Sequence, residues 1–410
     1  MESLSRAQRN AHHNCTCKTE KRIKPVLAIN TNRATHAIDV ASLSSRHRQP
    51  ARNIPSLDGL RALSILLVVF AHSRWYLPRS ITQNSFFQLV IGNGTHGVTV
   101  FFVISGYLIT TLLLREFDKT GRISLRRFYF RRTMRIFPPF YCLLGVMAVL
   151  WATHIIPEDL RSFLASLTYT WALYPSAHGY FIFHTWSLSI EELFYLLWPF
   201  LFVLLHQKKK LVAASSIIIV LVPVMRILFY YIFPSLRGHE FYMFQGWIDT
   251  MMVGCLLALL KQRAAWEEWQ QKFLNGWTAS ALAVLAFYIL PGITTLLPKK
   301  LAGGVSLGIA PTITAFCIGF LLLYCIDNGN KRMLRLLNMR LIRHIGILSY
   351  SLYLWQQLFL SQARPLLPYG YVFLVLAAEC SFWLVEQPSL RLRGRIEARW
   401  FSVHPNTRRI

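Results

Sequence analysis

Charge is scarce in this 410-residue chain, and acidic charge scarcest: 15% of its residues are charged, with 18 Asp and Glu against 44 Lys and Arg. With 54% hydrophobic residues and a mean hydropathy of +0.38, the composition excludes a string of soluble domains and indicates an integral membrane protein. Paired cysteines are also missing. Of the seven, Cys142, Cys255, Cys317, Cys325 and Cys380 lie in apolar segments and none forms an evident pair in an outer loop, so no disulfide framework is implied. His12, His13, Cys15 and Cys17 make a compact ligand-type cluster, but no second pair follows at finger spacing, and no metal is expected. Residues 1–53 hold no apolar run as long as a signal-peptide core. They mix ten Lys or Arg with Ser, Thr, Asn and His without periodicity, and read as a basic, disordered cytoplasmic tail. No convincing nucleophile elbow of the Gly-x-Ser-x-Gly type is found, and Ser105 and Ser187 are the serines to weigh as a covalent relay. The two halves show no internal duplication of the kind common in carriers.

What is present is long apolar segments, near 57–74, 96–114, 139–156, 186–205, 211–233, 247–260, 276–290, 304–326, 344–362 and 370–386. A spanning helix takes about 17 to 25 residues, so the expected fold is an all-α, polytopic transmembrane bundle of about ten helices. Threaded from a cytoplasmic N-terminus, 35 of the 44 Lys and Arg fall in inner segments. That is the positive-inside pattern, and an even number of helices returns the basic C-terminal segment 391–410 to the same side. The net charge of +26 is therefore topological, and no nucleic acid is expected as a partner. About two dozen residues follow helix 10, too few for an appended catalytic domain to fold.

Polar residues inside apolar segments need a reason, because a charge at the bilayer centre costs at least ~2.5 kcal/mol. Ser56 to His72 carries Arg61 and His72, eleven positions apart. At about 100° and 1.5 Å per residue that is roughly three turns and 16 Å, so both point to one face and suggest a polar path across the bundle. The second helix contains Gly97, Ser105 and Gly106, which permit close helix contact. The inner loop before Phe137-Pro138-Pro139 holds Arg132 and Arg135 three apart, on one helical face, as in a clamp for phosphate. Glu191 and Glu192 lie inside the outer end of the fourth helix and point about 100° apart, so one faces the cavity. Counting from the helix ends puts Glu191 at the depth of His72, as a carboxylate and imidazole for general-base work. Arg226 and Asp249 are expected to pair within the bundle. A Ser- and Tyr-rich face from Gly346 to Gln357 suits a wet lining.

Six motifs in order resemble the acyltransferase 3 family of bacterial membrane O-acyltransferases. They are Ser56-Leu-Asp-Gly-Leu-Arg61 with His72, Phe101-Phe-Val-Ile-Ser-Gly-Tyr107, Arg132-Thr-Met-Arg135-Ile-Phe-Pro138, Trp186-Ser-Leu-Ser-Ile-Glu-Glu192-Leu-Phe-Tyr195, Ser349-Tyr-Ser-Leu-Tyr-Leu-Trp355 and Glu386-Gln-Pro388. The resemblance covers residues 54–390, and Gln356 stands where His is frequent in the family. It implies transfer of an acyl group, commonly acetyl, from acyl-CoA on the cytoplasmic side to a hydroxyl of a surface or exported glycan. O-antigen, exopolysaccharide and peptidoglycan are all compatible acceptors. It assigns Arg61, Arg132 and Arg135 to acyl-CoA binding and His72 with Glu191 to catalysis, with no bound cofactor, in the bacterial inner or plasma membrane. The competing expectation is a multi-helix transporter or exporter, which a buried Arg, His and acid would also suit.

Overall fold

The computed structural model describes residues 55–173, 181–234, 237, 243–329, 334–361 and 369–400, all within one compact unit, 53–410. The tail 1–53, with its His12, His13, Cys15 and Cys17 cluster, lies outside the described residues. Every apolar segment folds as a helix: α1 Pro55–His72, α2 Gly94–Thr120, α3 Leu125–Ala152, α4 Thr185–Leu205, α5 Lys208–Ile232, α6 Ile248–Leu260, α7 Gly276–Leu296, α8 Leu301–Asp327, α9 Ser349–Leu360 and α10 Gly370–Trp400. Among the described residues there is no strand, and seven helices (α2, α3, α4, α5, α7, α8 and α10) are long and apolar enough to cross a membrane. The helix α10 extends through the start of the basic C-terminal segment to Trp400.

Local chemistry sets the helix ends. Asn93 caps α2 by accepting from the Thr95 amide, and Gly121 ends it at φ 69°, a left-handed conformation that suits glycine. Ser124 caps α3 by accepting from the Arg127 amide.

The core of the bundle is α1, α2 and α6, where small residues let backbones meet. A methyl group at Gly106 would collide with the Met251 carbonyl, and one at Gly254 with the Val103 carbonyl, so α2 and α6 touch backbone to backbone. At Gly97 the α2 carbonyl accepts Ser64 Oγ from α1 at 2.7 Å. Arg226 and Asp249 pair as expected, at 2.7 Å and almost fully buried. Arg226 also donates to the Gly246 carbonyl and to Thr312, both at 2.8 Å, tying α5, α6 and α8 together. The Gly304 to Gly308 run, which has the letters of a Gly-x-Ser-x-Gly motif, is a π-helical stretch in which Ser306 donates back to the Gly303 carbonyl at 3.4 Å. No strand precedes it, so it makes no elbow.

Candidate active site

Helix α1 runs unbroken from Pro55 to His72, so Arg61 and His72 share one face as the spacing requires. Two hollows lie along that face. The first, narrow at about 20 Å³, is lined by Arg61, Ile65, Phe101, Ser187 and Tyr350; the second, about 370 Å³, by His72, Arg74, Trp75, His184 and Trp186. They share Val68, Val98 and Tyr353 as walls, so the face leads from guanidinium to imidazole past one constriction.

The arginine end is built from residues of α1, α2, α3, α4, α9 and α10. In the basic stretch of α3, Arg127 and Arg131 turn to Glu397 of α10, Arg127 Nη2 at 2.6 Å and Arg131 closer still. Arg132 turns inward, with its guanidinium 5.0 Å from the Tyr195 ring centre and 5.7 Å from that of Phe128. Arg61 holds Asp58 at 3.7 Å and lies in the field of Arg135 and Arg132. Glu386, nearly fully buried on α10, accepts Ser351 Oγ at 3.3 Å and also feels Arg135 and Arg61. Three guanidiniums thus converge at one depth, where several positive donors together suit a polyanionic phosphate group.

Glu191 belongs to this end, which corrects the expectation that it orients His72. The carboxylate is buried; its Oε1 accepts Ser105 Oγ at 2.7 Å and the Tyr195 hydroxyl, and it interacts electrostatically with Arg132 and Arg135. His72 is held instead by its own helix, with Nδ1 2.8 Å from the Val68 carbonyl. A carbonyl only accepts, so Nδ1 carries the proton and Nε2 is left with the lone pair a base needs. The residue at the depth of His72 is His184, the residue before α4, seven positions and about 10 Å ahead of Glu191. The apolar pattern locates the start of α4 to within one residue, but Glu191 lies six positions inside it, about 9 Å along the helix, whereas His72 is the last residue of α1.

His184 was not singled out from sequence, and neither were the supports Tyr195 and Tyr353. Its one signal was position, two residues before Trp186 at the head of the fourth helix. Ser105 and Ser187, weighed as nucleophiles, are both engaged: Ser105 with Glu191, and Ser187 with the Tyr353 hydroxyl at 2.5 Å. Gln356 is fully buried, with neither side-chain polar atom hydrogen-bonded. Among the described residues no three His, Cys, Asp or Glu side chains converge as metal ligands.

An acyltransferase 3 family model, described as an acyltransferase domain, matches residues 54–385, and the chain belongs to that family. The chain is similar to the peptidoglycan O-acetyltransferase OatA of Listeria monocytogenes, 26% identical over 347 residues that cover 78% of this chain and 51% of the relative. It is also similar to the putative O-acetyltransferase SACOL0978 of Staphylococcus aureus, 28% identical over 384 residues covering 85% and 59%. The O-acetyltransferase OatA of S. aureus is 26% identical over 375 residues, covering 84% and 58%. The chain thus spans little more than half the length of these relatives. No solved structure matches at a significant level.

Proposed function

We propose that the protein is a membrane O-acetyltransferase that takes the acetyl group of acetyl-CoA at its cytoplasmic side and passes it to a hydroxyl of a surface or exported glycan. The observation that carries this reading is the α1 face, with Arg61, Arg132 and Arg135 gathered at one end and the lone-pair nitrogen of His72 at the other. The arginines bind the CoA phosphates through charge-assisted hydrogen bonds. The acyl end then extends along the apolar wall of Ile65, Val68 and Val98 toward the wider hollow. There His72 Nε2 takes the proton of the acceptor hydroxyl, a step typically worth 10²- to 10⁴-fold in rate. Glu191 sets the charge balance of the arginine end. The similarity to O-acetyltransferases supports acetyl as the group transferred.

The test supplies [¹⁴C]acetyl-CoA to inside-out membrane vesicles from cells with and without the gene. Label recovered as base-labile ester only with the gene supports the reading. Gene-dependent uptake of a glycan with no ester formed refutes it and returns the transporter alternative.

A further inference from the structure

Of the two buried imidazoles among the described residues that the account above leaves without a task, His96 is bonded to the Leu89 carbonyl at 2.8 Å and His184 is not bonded. It is 2% exposed, and neither ring nitrogen has a hydrogen-bond partner. The Leu354 carbonyl acts on the ring as a backbone acceptor, but neither ring nitrogen is hydrogen-bonded to it. A buried polar group without a partner is destabilising, so it calls for a partner in the hollow it lines. The ring lines the 370 Å³ hollow together with His72.

Its placement is fixed from behind. Tyr353 packs edge-on against the ring, 5.4 Å between centres, and donates its hydroxyl to the His184 carbonyl at 2.9 Å. Ser187 Oγ, 3.2 Å from the same carbonyl, pins the turn that opens α4. No carboxylate bonds the ring, and its titratable neighbour in the field is His72. Burial holds the imidazole below the usual histidine range, so it is a neutral N–H donor beside a neutral N acceptor.

Resting on the acyl-transfer reading, we infer that His184 is a second catalytic residue, the donor that holds the acyl carbonyl oxygen while His72 acts as base. The acceptor O–H gives its proton to His72 Nε2 as its oxygen bonds to the thioester carbon. The C=O electron pair moves onto oxygen, where the His184 N–H donates to the developing charge. Collapse re-forms C=O and breaks the C–S bond, and the departing sulfur takes the proton back from His72. The products are the ester and free CoA thiol. A neutral donor suits this place because two imidazolium ions side by side in a buried hollow repel, so the proton acquired in the step resides on His72 alone.

The test uses native membrane vesicles, which supply the acceptor, with [¹⁴C]acetyl-CoA and the variants His184→Leu and His184→Gln. Removing one oxyanion donor costs ~10²- to 10³-fold in turnover. His184→Leu is expected to show that loss with the KM for acetyl-CoA unchanged, since the arginine end is untouched. His184→Gln keeps an N–H and is expected to stay within ~10-fold of wild type. Wild-type rates in both variants overturn the inference. So does a His184→Gln protein that is folded yet as inactive as His184→Leu, or a His184→Leu loss matched by weakened acetyl-CoA binding and a lowered unfolding temperature. If the wild type itself forms no base-labile ester, the acyl-transfer reading falls and takes this inference with it.

Discussion

Ser105 Oγ donates to Glu191 Oε1 at 2.7 Å, joining α2 to α4 at the arginine end of the bundle rather than at the histidine end. The carboxylate has the Tyr195 hydroxyl as second donor, and the Arg132 guanidinium lies over the Tyr195 ring. Glu191 therefore acts on the guanidiniums. Glu191→Gln leaves the arginine end more positive, so it should lower the KM for acetyl-CoA, about 10-fold for ~1.4 kcal/mol of relieved repulsion toward the phosphates, and leave the pH profile of turnover in place. Steady-state kinetics at several pH values check this; a profile that moves with unchanged KM would return Glu191 to His72.

Within the basic stretch of α3 the structure separates two roles. Arg132 and Arg135 face the interior, whereas Arg127 and Arg131 are committed to Glu397. Arg132→Ala and Arg135→Ala should each weaken acetyl-CoA binding by ~10- to 100-fold, the range for one hydrogen bond to a charged group. Arg132→Lys should restore only part of it, because a point charge does not reproduce a planar fork. Arg127→Ala should leave binding near wild type. Calorimetric titration of the purified protein with acetyl-CoA reads all four.

The Arg226–Asp249 pair is structural. Removing one partner leaves the other charge buried, so Asp249→Ala should cost about 3 to 5 kcal/mol of stability. Detergent-solubilised protein should unfold at markedly lower temperature, while the acetyl-CoA KM of the folded fraction stays unchanged.

Backbone contact at Gly254 makes a further prediction. A side chain there must displace the Val103 carbonyl or the Tyr107 amide, so Gly254→Val should separate α2 from α6 and lower the yield of folded protein. Surface Gly394, with open space around it, should accept the same change. Monodispersity on size-exclusion chromatography compares the two.

How much of this could be read from sequence depends on the range of the interaction. Hydropathy located each helix, because lipid demands a continuous apolar run whatever its neighbours. The Arg61 and His72 relation was legible because a single unbroken helix fixes the angle between them. Arg226 and Asp249 were legible as a pair because two opposite charges within the apolar bundle have few other partners. The depth of Glu191 was not, since a position inside one helix end is not level with a position at another, and six positions along a helix move a side chain about 9 Å. His184 stands just ahead of α4, where helical periodicity says nothing of direction. The commitment of Arg127 and Arg131 to Glu397 joins residues some 270 positions apart, beyond any local pattern.

The central claim is that His72 is the base of an acyl transfer. The most direct measurement is mass spectrometry of surface glycans and exported products from cells lacking the gene, restored with wild type or with His72→Ala expressed at equal level. The account predicts that an acetyl-sized mass, 42 Da by the difference between a hydroxyl and its acetate ester, returns with wild type and stays absent with His72→Ala. Full return of that mass with His72→Ala would contradict it.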